Sequence, residues 1–312
     1  AKPLTYTITG ADKTYDGTVT ATATLILSGF VGDETINVSS NTSTFDNKNA
    51  GSDKTITVNN IVLANGDNGG LASNYSISVG QTTTANITPK ALTISGIVAI
   101  NKTYDGTVSA TTDDSGATFT GLVAGDDFTV SSTGTFDNKN VGVGKTVTLV
   151  ETTGGDDVGN YNITKQGSTT ANVTAKVLTI NSELTSASKV YDGTRTAVVD
   201  RSDLFGLIEG EDVTATGGGT YDDANVGTGK TITISYTLED GVTAGLASNY
   251  SIGTQSTDNG IITKAPLTVT AIDDAKFVTE SDPTFTYVYN GFVNGETADD
   301  LVSAGKFIVG NI

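Results

Sequence analysis

In Thr55-Ile-Thr-Val58, Thr146-Val-Thr-Leu149 and Thr231-Ile-Thr-Ile234 every second residue is apolar and its neighbour is threonine. Side chains alternate across a strand, so the pattern predicts strands with one face on a core and the other in water. Thr, Val and Ile are the residues that suit such a pleated, half-buried surface. Leu4-Thr-Tyr6, Leu92-Thr-Ile94, Leu178-Thr-Ile180 and Leu267-Thr-Val269 follow the same rule. A 3.6-residue periodicity is sustained nowhere, and the nearest candidate is a single turn at Leu71 to Asn74 and Leu246 to Asn249. The strand-like runs are broken by Asp16-Gly17, Asp105-Gly106 and Asp192-Gly193, where glycine supplies the positive φ of a tight turn. The expected class is all-β.

Four blocks recur in the same order. Lys-x-Tyr-Asp-Gly-Thr stands at Lys13 to Thr18, Lys102 to Thr107 and Lys189 to Thr194. It is followed by Gly29-Phe-Val-Gly-Asp33, Gly121-Leu-Val-Ala-Gly-Asp126 and Gly206-Leu-Ile-Glu-Gly-Glu211. Next come Thr44-Phe-Asp-Asn-Lys-Asn-Ala-Gly51, Thr135-Phe-Asp-Asn-Lys-Asn-Val-Gly142 and Thr220-Tyr-Asp-Asp-Ala-Asn-Val-Gly227. The pairs Asn74-Tyr75, Asn160-Tyr161 and Asn249-Tyr250 close the set, ahead of Ile87-Thr-Pro-Lys90, Val173-Thr-Ala-Lys176 and Ile262-Thr-Lys264. The opening lysines Lys2, Lys90, Lys176 and Lys264 set periods of 88, 86 and 88 residues. That is too long for a solenoid repeat and is the size of a small β-sandwich domain.

The expectation is therefore a tandem array of small immunoglobulin-like β-sandwich domains at 1–89, 90–175 and 176–263, with a partial β-domain at 264–312. Each unit reads as six or seven short strands, and β-grasp-like units with one short helix are the alternative fold. Two or three residues separate successive units, as in Thr88-Pro89-Lys90, and flexible Gly/Ser spacers are missing. Restricted hinges predict an elongated, semi-rigid rod.

Composition narrows the chemistry. The 312 residues include 35 acidic and 17 basic side chains and no Cys, His, Met or Trp. Without Cys or His there is no thiol nucleophile, imidazole base or N/S zinc or haem site. The surplus of negative charge disfavours nucleic acid and anionic lipid as partners. No apolar run approaches the roughly 20 residues of a bilayer span, so no membrane insertion is expected. No signal-like segment opens the chain at Ala1, which is read as a mature or excised piece.

The ordered blocks resemble the YDG repeat of large bacterial surface adhesins, over about residues 1 to 264. The stretch from Ala275-Lys276 through Glu280-Ser-Asp-Pro-Thr-Phe285 into Gly291-Phe-Val-Asn-Gly-Glu296 is similar to the related MBG-type repeat, with Phe277-Val278 where that repeat carries Tyr-Gly. The resemblance implies extension or stalk modules.

Several constellations could carry chemistry. Tyr15-Asp16, Tyr104-Asp105 and Tyr191-Asp192 could be acid/base pairs, but a motif repeated with nothing distinctive in one copy reads as a turn. The adjacent carboxylates Asp33-Glu34, Asp126-Asp127, Glu211-Asp212 and Asp273-Asp274 point to opposite faces of a strand and make poor glycosidase pairs. No catalytic, cofactor-binding or metal residues are assigned, and no enzyme is expected. Calcium is the candidate cofactor, through Asp113-Asp114, Asp156-Asp157 or Asp222-Asp223, although none has EF-hand spacing. Isopeptide bonds could join Lys54, Lys145 and Lys230 to Asn74, Asn160 and Asn249. Asn37, Asn41, Asn74, Asn86, Asn162, Asn172 and Asn249 stand in Asn-x-Ser/Thr sequons.

The expected function is a structural stalk of an extracellular bacterial cell-surface adhesin or fibre, spacing a binding domain from the cell. Its partners would be other domains of the same protein. The alternatives are a filament, with residues 266 to 312 completed by a strand from another copy, and a glycan- or protein-binding module.

Overall fold

The structure, a computed structural model, describes residues 1–181, 188–199, 203–284 and 286–303. Phe285 of the MBG-like stretch and the segment 304–312 lie outside the described residues.

The first repeat runs β1 (Lys2–Gly10), β2 (Lys13–Thr14), β3 (Thr20–Ala21), β4 (Ala23–Ser28), β5 (Ile36–Phe45), β6 (Gly51–Asn65), β7 (Tyr75–Ile77) and β8 (Thr82–Thr88). They form a three-stranded sheet in the order β4-β1-β7 and a five-stranded sheet in the order β2-β8-β6-β5-β3. Most pairs are antiparallel, but β1 runs parallel to β7 and β2 parallel to β8. Two-residue strands bring the repeat to eight, where period two reads six or seven, because β2 and β3 are too short to alternate. The single-turn candidate is a 3₁₀ segment, Ala72–Asn74. It does not pack across a sheet as the helix of a β-grasp unit would, so a β-sandwich describes the repeat.

The alternation does what it predicts. Ile56 and Val58 of β6 are fully buried, and Leu4 and Tyr6 of β1 turn inward between the exposed Pro3, Thr5 and Thr7. Each such aliphatic burial contributes about 1.5–3 kcal/mol of transfer free energy. The sheets meet closely at Gly10, where a Cβ would stand 2.7 Å from Ile56 Cδ1 of the facing sheet. Register places Phe45 opposite Ile56, Phe136 opposite Val147 and Tyr221 opposite Ile232, so one core pair recurs in all three repeats. In the third repeat it anchors a cluster with Ala197, Ile234 and Ile262.

Beyond the repeats, strands Thr268–Ala271 and Tyr287–Asn290 pair antiparallel. A short helix, Ala298–Ser303, follows, which periodicity does not foresee. Asp300 caps its start: its carboxylate accepts from the Thr297 amide at 2.7 Å, and the Asp300 amide donates to the Thr297 backbone carbonyl in the first turn.

By compactness the chain forms two units. The first comprises residues 1–102, 108–138 and 142–172; the second comprises 103–107, 139–141 and 173–312. The tips of the second repeat, including its Tyr-Asp-Gly turn, thus belong to the second unit.

Candidate functional site

The Lys, Tyr, Asp, Gly and Thr of the Lys-x-Tyr-Asp-Gly-Thr block each have a local role. The Asp16 carboxylate accepts from the Thr18 amide and hydroxyl, both at 2.8 Å, and from the Lys13 ammonium at 2.7 Å. Asp192 repeats this with Thr194 and Lys189. Gly17, Gly106 and Gly193 lie at φ +78°, +77° and +74°, which a Cβ disfavours. The lysines Lys13, Lys102 and Lys189 sit over the rings of Phe45, Phe136 and Tyr221 at 5.4–5.6 Å. Lys189 and then the Thr194 donors pull the Asp192 carboxyl down to about 2. The tyrosine amides at 15, 104 and 191 donate to Thr88, Thr174 and Thr263 of the last strand. The turn is thereby locked, and the tyrosine is held by its backbone.

The Gly-rich block forms a second turn. Its closing amide donates back three residues in every copy, from Glu34, Asp126, Glu211 and Glu296 to Val31, Val123, Ile208 and Val293. The Asn-Tyr tyrosine completes it. Tyr75, Tyr161 and Tyr250 accept from the amides of Val31, Val123 and Ile208 and donate to Glu34, Asp126 and Glu211. This corrects the block boundary. In the first repeat the carboxylate of this position is Glu34, one residue beyond the Asp33 on which the sequence block ends.

The two turns meet from neighbouring repeats. In the first unit Tyr15 donates to Asp126 at 2.8 Å, while Tyr161 donates to the same oxygen. The two rings stand edge to face at 5.6 Å. Lys48 bridges Asp126 at 3.1 Å and Asp157 at 2.8 Å. The Ala50 amide donates to Asn160 at 2.9 Å, and Gly17 approaches so closely that a Cβ would lie 2.8 Å from Val123 Cγ1. The second unit repeats the clasp. Tyr104 and Tyr250 donate to Glu211 at 2.5 and 2.7 Å, Lys139 reaches it at 2.6 Å, and the Val141 amide donates to Asn249 at 2.9 Å. A reduced version joins Tyr191 to Glu296, with Asn294 donating to the Gly193 carbonyl. There Ala224 occupies the position of Lys48 and Lys139.

Burial acts against ionising the carboxyls of Asp126 and Glu211, but their tyrosine and lysine donors outweigh it and hold both below the ordinary range. Burial, and then the bonds to these carboxylates, push Tyr161 and Tyr250 up to about 12. At neutral pH the cluster is therefore two neutral phenols and an ammonium around a carboxylate. Each group is satisfied by the others, and none is poised as a base or nucleophile.

The other sequence candidates fall elsewhere. Tyr15 and Asp16 diverge, one to the clasp and one to its own turn. In the adjacent pairs, Asp127 accepts from the Asp156 amide, and Asp212 takes backbone amides from residues 242 to 245, while Asp126 and Glu211 face the tyrosines. Of the calcium candidates, Asp113 accepts from Ser115, Asp114 from Ser132, Asp157 binds Lys48, and Asp222 and Asp223 hold Lys230. No group of three or more acidic residues arranged for a metal occurs among the described residues. The isopeptide pairing is corrected. Lys54, Lys145 and Lys230 are paired with Asp46, Asp137 and Asp223 at 2.6–3.0 Å, whereas Asn160 and Asn249 are buried in the clasps. Asn160 and Asn249 are engaged instead by the amides of Ala50 and Val141, and Asn249, 1% exposed, is no glycan acceptor either. Sequence reasoning missed Lys48 and Lys139. The signal available was the substitution by Ala224 in the one repeat followed by a different module.

No helix of the described residues is long and apolar enough to cross a membrane. No curated protein sequence matches the chain. Among solved structures, the crystal structure of the I9-I11 tandem from titin is similar over 84% of this chain and 100% of that one, at 11% identity and a TM-score of 0.22. The MBG domain (YGX type) matches residues 267–309, and the YDG domain matches residues 1–85, 88–171 and 174–258. With three copies spanning most of its length and the recurring blocks at the clasps, the chain belongs to the YDG domain family.

Proposed function

We propose that this chain is a structural extension segment of a bacterial cell-surface adhesin, spacing a binding domain from the cell. YDG and MBG repeats are found in surface adhesin-like proteins. The observation that carries the stalk reading is that the residues recurring with the repeat hold one module to the next, as Tyr15, Lys48, Asp126 and Tyr161 do. A site for catalysis or recognition would leave such groups presented to a ligand. Here they saturate one another.

A glycan-binding reading draws no support from the cleft of about 380 Å³ lined by Ala50, Gly51, Ser52, Asn86, Ile87, Thr88, Pro89 and Gly159, which holds no aromatic ring for a sugar to stack on. Filament growth by strand addition has one feature in its favour. The ribbon at Thr268–Ala271 and Tyr287–Asn290 leaves Val269, Tyr287 and Val288 between 42% and 52% exposed.

Small-angle scattering over a range of protein concentrations separates these readings. The stalk expects a rod profile independent of concentration. Growth in length with concentration would support assembly instead, and a compact globular profile would overturn both.

A further inference from the structure

We propose that the first repeat presents, at Val31, Glu34, Asn74 and Tyr75, an outward-facing copy of the socket that receives a Tyr-Asp-Gly turn, and that its partner is another YDG module bearing a Lys in its Asn-Lys-Asn loop. This rests on the stalk reading and names the kind of module the segment joins.

The socket is already built. The Glu34 amide donates to the Val31 carbonyl at 3.1 Å, and Tyr75 accepts from the Val31 amide at 3.0 Å while donating to Glu34 at 2.5 Å. These are the bonds that form the receiving side of the other two clasps. What differs is the cover. Val31 is 52% exposed, whereas Val123 and Ile208, in the same position, are half-buried against Gly17 and Gly106. Asn74 is exposed, whereas Asn160 and Asn249 are 4% and 1% exposed with their amides bonded to Ala50 and Val141. Glu34 accepts from one tyrosine, whereas Asp126 and Glu211 each accept from two and from a lysine.

The surface also states which partner fits. Before Asn160 stands Asp157, which shares Lys48 with Asp126; before Asn74 and Asn249 stand Leu71 and Leu246, in the same extended backbone. With glutamate at the turn and leucine at this position, the first socket matches the one that receives Tyr104, Lys139 and Val141. Its partner therefore resembles the donating end of the second repeat. A second copy of this chain does not supply one. Its turns at Tyr15, Tyr104 and Tyr191 are already bonded to Asp126, Glu211 and Glu296.

The test extends the full chain by placing a copy of residues 90–174 directly before Ala1, so that the added module runs into Ala1-Lys2 as the second runs into Ala175-Lys176. Amide hydrogen exchange is followed at residues 29–35 and 71–75. The expected result is at least tenfold slower exchange there than in the unextended chain, largely reversed by Lys139→Ala in the added copy and, separately, by Glu34→Gln. Unchanged exchange on extension, or protection insensitive to both substitutions, overturns the proposal. So does protection of these residues in the unextended chain that grows with its concentration, because that assigns the socket to a second copy. Scattering from the extended chain keeps the two readings apart. A longer rod without protection leaves the stalk and removes the socket; protection in a compact particle does the reverse.

Discussion

Asp126 and Glu211 are single carboxylates shared by two phenols and a lysine, and their ionisation is tied to folding. Both carboxyls lie below their ordinary values in the folded chain, so the stability they contribute is complete above about pH 4–5 and is lost as pH falls through the depressed values. Tyr161 and Tyr250 act in the opposite sense. Their folded values of about 12 exceed the ordinary 10, so their contribution is complete below pH 10 and is lost as pH rises from 10 to 12. Unfolding by denaturant should therefore show a plateau of stability between these limbs, with tyrosinate absorbance appearing only along the alkaline one. Tyr104→Phe removes one hydroxyl donor from a buried carboxylate and should cost about 1.5–3 kcal/mol at pH 7. It should also move the acid limb associated with Glu211 to higher pH. A variant as stable as the parent with an unchanged acid limb would show that the hydroxyl does not hold the clasp.

The element that delivers each tyrosine is a four-residue turn, and its glycine meets two demands at once. Gly106 lies at φ +77° and a Cβ there would stand 2.9 Å from Ile208 Cγ2, whereas Gly210, at φ +83°, has nothing within 4 Å. Gly210→Ala should cost roughly 1–2 kcal/mol, from backbone strain alone. Gly106→Ala should cost more, and the difference, measured by denaturant unfolding, reports the closeness of the clasp. Equal losses would mean that Ile208 simply moves aside. Turns and strands such as these are legible in the sequence because their causes are local: Thr-Ile-Thr-Val alternates, and Asp-Gly needs a left-handed residue. The clasp is not, since Tyr15 finds Asp126 across 111 positions and no periodicity carries that distance. Block alignment nearly reaches it and then stops at Asp33 in the first repeat, where chemistry selects Glu34. The lysines at 54, 145 and 230 mislead for the same reason, since proximity in the repeat suggested asparagine partners while charge selected the aspartates of the preceding loop. The helix Ala298–Ser303 escapes the sequence reading because it is too short to show a period.

Across the whole molecule the clasps make stability a matter of neighbours. In a tandem chain each module carries its own core and shares energy with those on either side. Here the shared part is concentrated in a few groups whose carboxylates and phenols are buried while Lys48 and Lys139 stay partly exposed, so it is screened by salt less than a fully exposed pair would be. Several of the 17 basic residues are held in ion pairs inside turns or clasps, among them Lys13, Lys48, Lys54, Lys139, Lys145, Lys189 and Lys230. The surface left to solvent is correspondingly acidic. Asp126→Asn keeps the shape of the side chain but removes the charge that Tyr15, Tyr161 and Lys48 surround. Amide exchange in this variant should accelerate at residues 13–18, 47–50 and 158–161, on both sides of the altered carboxylate. Residues 208–211 and 247–250, which belong to the Glu211 clasp, should exchange as before, because no group of one clasp is shared with the other. Acceleration throughout the chain would instead mean that the repeats unfold as one cooperative body, with the clasps part of a common core and not separate fastenings between neighbours.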